Sequence, residues 1–552
     1  MAGVFSVFVN LLMLTGPIFM LQVYDRVLGS RSVETLLALT LLAAFLYLSM
    51  GILDFARGRI LARIGARFQS ELDPRVFSAV IRQSSLGRPT AVANTGGRDL
   101  DTVQRLLSSP VIGALFDLPW TPIFLIGISL FHPWLGILAM CGGGVLIVLS
   151  VASRIVLRGP SKNENEARFA ATQWADNIRK DAETIQSLGM RHSAFARWQK
   201  AQSRALRARV AVSEKSGGFS VTTRTWRLFL QSAMLALGAY LVLLDQVSPG
   251  AMIASSILLG RALAPVELLV GQWSAIEQAR RAWSSLAELL SLVPQDVPRT
   301  TLPDPQAQLD VHQLTVTPPG EEQASLRMVS FSVAPGEALG VIGPSGSGKS
   351  TLARALTGVW RPAAGRVRLD GASIDQYDPD RLGQCIGYLP QTVRLFDGTI
   401  AENIARLDPN ASSDKVVEAA KRAAAHDLIV ALPDGYDTIL SPSSGRLSGG
   451  QIQRIGLARA LYGDPVILIL DEPNSNLDNE GSNALNLAIR QAKRDKRSVL
   501  IMAHRPAAIQ ECDLLMMLDG GIRKAFGPKE DVLKNVVMNY QQLQNTGSAG
   551  VA

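Results

Sequence analysis

Six runs of mostly apolar residues, at about 4–22, 34–54, 109–131, 134–156, 224–244 and 250–272, dominate the first half of the chain. Each approaches the roughly 20 residues with which an α-helix crosses the hydrocarbon of a bilayer, and none is long enough to cross twice. Beyond about residue 290 the pattern becomes that of a soluble α/β domain, with short apolar runs between polar turns. The 552 residues therefore read as a membrane half, 1–290, a linker, 291–308, and a soluble half, 309–552. The first run, "VFSVFVNLLMLTGPIFMLQ", lacks the basic flank and small-x-small cleavage site of a secretory signal and reads as a retained span. Pro17 should bend it, because proline removes a helix hydrogen bond.

Orientation follows from the basic residues. Arg57, Arg59, Arg63, Arg67, Arg75, Arg82, Arg88, Arg98 and Arg105 separate spans two and three, and a denser set from Arg154 to Lys215 separates spans four and five. The opposite loops hold only Arg26 and Arg31. The positive-inside rule places both long segments, and both termini, in the cytoplasm. Spacing such as "FARGRILARIGARF" and "AFARWQKAQSRALRARV" predicts that these segments continue as helices well past the bilayer. Polar breaks at "RQSSLGRPTAVANTGG" and "RKDAETIQSLGMRH" mark the turns, whose short helices are expected to dock on the soluble domain.

The net charge of +8 has a ready explanation in these cytoplasmic segments. No Lys/Arg-rich block interleaved with aromatics occurs, so nucleic acid is not an expected partner. Cys141, Cys385 and Cys512 are far apart and form no C-x-x-C pattern, which excludes a zinc or redox pair built on that spacing.

In the soluble half, "ALGVIGPSGSGKSTLARAL" is an apolar strand, a glycine-rich turn and a helix start. It matches G-x-x-x-x-G-K-[ST], so Gly343, Pro344, Ser345, Gly346, Ser347, Gly348, Lys349, Ser350 and Thr351 form a candidate phosphate loop. Its glycines let successive N–H groups face phosphate oxygens at a helix N-terminus. Lys349 would reach the β and γ phosphates, and Ser350 would ligate Mg²⁺. The run "VILIL", 466–470, reads as a buried parallel strand that delivers Asp471 and Glu472 at its carboxyl end, where open α/β sheets bind ligands. Asp471 would hold Mg²⁺ through water, and Glu472 would polarise the attacking water. Gln391, in "YLPQTVRLFDGTI", is a candidate contact to the metal or the water. His504, ending "SVLIMAH", is a candidate contact to the γ-phosphate. "LSGGQ", 447–451, is a second anion-binding helix start, presenting Ser448, Gly449, Gly450 and Gln451. One triphosphate cannot occupy both anion sites of one domain, and a second copy of the chain resolves this.

Taken together, "GPSGSGKS", "LSGGQ", "LILDEP", "SNLD" and His504, in this order, resemble the Walker A, signature, Walker B, D-loop and switch-histidine elements of an ATP-binding cassette. The resemblance covers about 309–540. It implies two cassettes facing head to tail, with Ser448, Gly449 and Gly450 of one closing over the γ-phosphate held by the other. In the membrane half, "YDRVLGSRSVETLLALT", "FDLPWTPIFLI" and "GRALAPVE" resemble the permease-ATPases of type I protein secretion, in the branch that exports proteases, lipases and other calcium-binding repeat proteins with uncleaved C-terminal signals. The chain is read as having no peptidase before the first span, which is expected to set it apart from the bacteriocin-processing branch.

The expectation is thus an α-helical six-span transmembrane domain followed by an α/β P-loop nucleotide-binding domain. The resemblance implies a homodimer in the bacterial inner membrane, using ATP and Mg²⁺ to export a polypeptide with a periplasmic membrane fusion protein and an outer-membrane channel. An exporter of lipids or small hydrophobic molecules shares this architecture. A third reading is a scaffold that binds ATP without turning it over; Lys349, Glu472 and His504 argue against it. Two positions depart from the family pattern. Pro318 stands where an aromatic commonly stacks on adenine, and near Pro442, in "SPSSGR", an expected glutamate is missing.

Overall fold

In the computed structural model, the described residues are 2–86, 91–294, 299, 302–440, 447–475, 477, 479–503 and 509–534. The chain divides into two compact units, residues 1–80 with 91–294, and 81–90 with 295–552. Among the described residues, six helical segments are long and apolar enough to cross a membrane.

The first span is interrupted. Helix α1 (Ala2–Leu12) ends before α2 (Thr15–Gln22), then a π-helical turn, Val23–Val27, leads into α3 (Leu28–Ser30). Pro17 lies in the first turn of α2, and the break falls at residues 13–14, where its missing N–H would have met a carbonyl. Helix α4 (Val33–Ser85) runs 53 residues, about 80 Å at 1.5 Å per residue, so it continues far beyond any bilayer. After α5 (Ala91–Leu107), the third span is α6 (Pro110–Asp117) and α7 (Thr121–Phe131), joined by a 3₁₀ turn at Leu118–Trp120. Helices α8 (Pro133–Lys180) and α10 (Arg191–Leu243) form the second long pair, with the short α9 (Ala182–Ser187) at its turn. Helix α11 (Pro249–Gly271) is the last span, and α12 (Trp273–Leu292) follows it.

Small residues set the closest helix approaches, as expected where lipid removes the hydrophobic drive between helices. Trp226 Nε1 donates to Gly142 O at 3.0 Å, and a Cβ on Gly142 would lie 2.2 Å from Leu230. Ile128, Leu135, Met234 and Ala262 are fully buried around this contact. On the outside, Leu37, Leu41, Phe45 and Leu130 are exposed, the arrangement that lipid rather than water stabilises. A second cluster joins α4, α5 and α12 through Val76, Leu100, Val103 and Leu289. Asp25, in the π turn, holds the start of α11: its Oδ1 accepts from Gly250 N (2.8 Å) and its Oδ2 from Ser248 Oγ (2.6 Å).

The second unit contains a six-stranded sheet in the order β12-β11-β3-β10-β9-β6, formed by β3 (Ala338–Ile342), β6 (Ile386–Leu389), β9 (Ile467–Asp471), β10 (Ser498–Ala503), β11 (Leu514–Asp519) and β12 (Ile522–Pro528). Its pairs are parallel except for β11 with β12. Strands β9 and β10 are buried along their whole length, which their unbroken apolar runs require. An antiparallel sheet, β2-β1-β4-β5, adds β1 (Leu309–Val316), β2 (Leu326–Val333), β4 (Ala364–Leu369) and β5 (Ala372–Ser373). A two-stranded ribbon pairs β7 (Gly398–Thr399) with β8 (Ile439–Leu440). Helices α13 (Lys349–Leu356), α14 (Pro379–Cys385), α15 (Ile400–Ile404), α16 (Ser413–Arg422), α17 (His426–Val430), α18 (Gly449–Leu461) and α19 (Asn479–Arg494) complete the unit. Residues 441–446, with Pro442, and residues 504–508, with His504, lie outside the described residues.

Candidate active site

Strand β3 and helix α13 are joined by residues 343–348, and the sequence dictates the tightness of that turn. Gly348 adopts φ 98° at the helix N-cap, and a Cβ there would lie 2.8 Å from Ser325 O. A Cβ on Gly343 would lie 2.1 Å from Leu518 O, so this backbone approach also tolerates no side chain. The loop wraps the ammonium of Lys349, whose Nζ donates to Gly343 O and Pro344 O, both at 2.9 Å, and lies 3.4 Å from Ser347 Oγ. Burial pushes this ammonium below the ordinary lysine range, while the charges of Glu472 and Asp471 act in the opposite sense.

Neighbouring strands deliver the other members. β9 lies between β6 and β10, with Leu470 opposite Leu389 and Asp471 opposite Met502. Asp471 is 2% exposed at the strand end. Burial raises its carboxyl above the usual range, a hydrogen bond with Ser350 lowers it, and the charge of Glu472 raises it further. Oδ1 of Asp471 is buried with no hydrogen-bond partner among the described residues. Such an orphaned acceptor is costly in a folded protein. A hard cation would satisfy it, and carboxylate, hydroxyl and carboxamide oxygens from Asp471, Ser350 and Gln391 are of the donor class that Mg²⁺ takes.

Glu472 leaves the strand in a left-handed conformation, φ 51°, and its N–H donates to Met502 O at 2.9 Å. A non-glycine residue held there is worth a functional reading. The turn aims its carboxylate at Gln391, two residues beyond the end of β6: Gln391 Nε2 donates to Glu472 Oε2 at 3.1 Å.

Ser448 caps α18 in a reciprocal box, with Ser448 Oγ accepting from Gln451 N (3.3 Å) and Gln451 Oε1 accepting from Ser448 N (2.8 Å). Ser448 and Gly449 are exposed. Among the described residues, no hydrogen bond joins 448–451 to the phosphate loop of the same chain. The structure thus brings Lys349, Ser350, Gln391, Asp471 and Glu472 together, while the capping bonds of Ser448 and Gln451 stay within the start of α18.

Sequence reasoning missed what α18 does internally. Gln453 is 2% exposed and its Nε2 donates to Pro473 O at 3.0 Å, one residue past Glu472. Arg454 reaches Glu480 at 3.1 Å. Arg459 donates to Arg394 O (2.9 Å) and to Asn403 Oδ1 (2.7 Å), fixing the segment that follows Gln391. One helix therefore carries Ser448 at its start and grips the chain beside Glu472 and beside Gln391. Gln453 and Arg454, polar side chains among the apolar residues of "GGQIQRIGLARAL", were the available signal.

The family described as ABC transporter transmembrane region matches residues 1–264, and the family described as ABC transporter matches 326–475. The chain is 44% identical to the type I secretion system ATP-binding protein PrsD of Rhizobium meliloti (strain 1021), over 98% of this chain and 93% of that protein. It is 30% identical to the leukotoxin export ATP-binding protein LtxB of Aggregatibacter actinomycetemcomitans, covering 98% of this chain and 76% of that one. Its identity to the alpha-hemolysin translocation ATP-binding protein HlyB of Escherichia coli O157:H7 is 28%, over 98% and 77% of the two chains. In fold, it superposes with TM-score 0.81 on a bacterial Atm1-family ABC exporter with ATP bound, at 24% identity, covering 100% of this chain and 98% of that one.

Proposed function

The chain belongs to the ABC transporter family, and from that premise we propose that it is the ATPase and permease of a type I secretion system, working as a homodimer in the bacterial inner membrane. As a member of that family it binds and hydrolyses ATP and is a multi-pass membrane protein with its ATPase domain in the cytoplasm. Its cargo on this reading is an unfolded or partly folded polypeptide with a C-terminal secretion signal. A periplasmic membrane fusion protein and an outer-membrane channel complete the path. The observation that carries the cargo assignment is the near full-length 44% identity to a type I secretion ATP-binding protein.

The site residues take the following roles. Backbone N–H groups of 343–348 and the Lys349 ammonium hold the β and γ phosphates, and Thr351 extends the cradle along the first turn of α13. Mg²⁺, held by Asp471 through water and by Ser350 and Gln391, would supply charge neutralisation on the phosphate oxygens. Glu472, oriented by Gln391, takes the proton of the attacking water. His504 contacts the γ-phosphate. Ser448, Gly449 and Gly450 of the second copy direct the N-terminus of α18 at that phosphate and complete the clamp. With Pro318 standing where an aromatic commonly stacks on adenine, loose base selectivity is the expected consequence.

ATPase measurements on the full chain in lipid discs test the cargo assignment. A C-terminal secretion-signal peptide should raise turnover, while lipids and small hydrophobic compounds leave it unchanged. Stimulation by lipids but by no such peptide would replace this reading with the export of small hydrophobic molecules.

A further inference from the structure

The nucleotide chemistry makes no use of a group of charged side chains in the membrane unit. Arg57, on α4, lies 2.8 Å from Asp117 Oδ1 and 2.7 Å from Asp54 Oδ1. Asn10 Nδ2 donates to the same Asp117 oxygen at 2.7 Å. Asp117 belongs to "FDLPWTPIFLI", and the second singled-out stretch, "GRALAPVE", contributes Arg261. All five line one cavity of about 330 Å³, within the size range of ligand pockets.

The two arginines differ. Arg57 is neutralised on both sides by carboxylates. Arg261 sits 12 residues into α11, about 18 Å along it, and shares the cavity with Arg57, Leu61, Ser108 and Ser109, at the cytoplasmic ends of spans two and three. Among the described residues it has no hydrogen-bond or ion-pair partner. A guanidinium has five N–H donors to satisfy, and an ionisable side chain within a membrane helix that faces a cavity marks a site for a ligand that matches it.

We propose that this cavity is a cargo subsite in which Arg261 receives a carboxylate of the polypeptide in transit, either an acidic side chain or the free C-terminus. The inference rests on the protein-export reading. The other polar groups of the lining favour a peptide. Asp54, Asp117 and Asn10 offer acceptors to backbone N–H groups, whereas a lipid phosphodiester presents acceptors alone and gives those carboxylates nothing to bind.

The test uses the full-length protein in phosphatidylcholine discs and a fluorescein-labelled peptide of glycine, serine and aspartate, read by anisotropy. Two further peptides carry asparagine for aspartate, or a C-terminal amide, and a third carries both changes. Arg261→Gln should weaken binding of the acidic peptide by about tenfold, the scale of one charge-assisted hydrogen bond, and Arg261→Lys should retain part of it. Whichever neutralised peptide abolishes the difference between wild type and Arg261→Gln identifies the carboxylate. The subsite is overturned if Arg261→Gln, with an unchanged melting midpoint, binds as wild type does. It is also overturned if the difference survives in the peptide lacking both carboxylates, or if phosphatidylglycerol discs abolish it by occupying the cavity. A dimer that binds the probe through Arg261 while its ATPase ignores every secretion-signal peptide keeps the subsite and loses the export reading. Stimulation by a signal peptide without dependence on Arg261 does the reverse.

Discussion

The side chains of Gln391 and Glu472 meet across the carboxyl ends of β6 and β9, with Gln391 Nε2 donating to Glu472 Oε2 at 3.1 Å. The two residues are 81 apart in sequence, and parallel pairing of their strands is what brings them together. The contact orients the carboxylate at the strand ends where the nucleotide chemistry is proposed to occur.

Glu472→Gln removes the proton acceptor and keeps the shape of the site. ATP binding should persist while phosphate release falls by about 10²–10⁴-fold, the usual contribution of a general base. Gln391→Ala should have a smaller effect, on kcat more than on ATP affinity. Phosphate release by Glu472→Gln at the wild-type rate would remove Glu472 from that role.

On the proposed reading, Asp471 trades stability for metal binding. Its folded-state pKa is raised by burial, so its contribution to folding is fully present below the ordinary carboxylate pKa and is lost as pH rises through the raised value. At neutral pH the buried charge is therefore a cost in the absence of metal. Asp471→Asn should raise the melting midpoint of nucleotide-free protein by a few degrees at pH 7 and abolish the stabilisation that added Mg²⁺ and ATP give the wild type. Calorimetric melting with and without Mg²⁺ reads both effects, and an unchanged Mg²⁺ response would exclude Asp471 as a metal contact.

Gln453→Leu removes the donor to Pro473 O and leaves that carbonyl unpaired in a buried setting, which costs about 1–3 kcal/mol. Because the bond adjoins Glu472, kcat should fall while ATP affinity stays near wild type. Gln453→Glu at low pH, where the protonated acid again donates, should recover part of the loss. A parallel fall in affinity and kcat would point to general unfolding of α18.

The sequence disclosed those parts whose chemistry is local. Six apolar runs mark six spans because the bilayer imposes a length, and the phosphate loop is legible because Gly348, Lys349 and Ser350 act within one turn. Asp471 and Glu472 were readable from the apolar run before them. Other features depend on partners remote in sequence. Nothing in "VYDRV" announces a π turn whose Asp25 caps a helix more than 200 residues later. A glutamine at 453 has no meaning until Pro473 lies beside it. The 3₁₀ turn at Leu118–Trp120 and the separate helix Trp273–Leu292 depend likewise on packing. The ordinary surroundings of "LSGGQ" hid that its helix also braces the segments after Gln391 and Glu472.

The central claim is that ATP is clamped between two copies, Ser448 and its glycines from one meeting Lys349 of the other. ATPase activity measured on full-length protein separated into monomer and dimer fractions, with mass photometry confirming each state, addresses it directly. Dimers should hydrolyse ATP, monomers should bind it without turnover, and Ser448→Arg dimers should behave as monomers do. Monomers that hydrolyse ATP at the dimer's rate per chain would contradict the account.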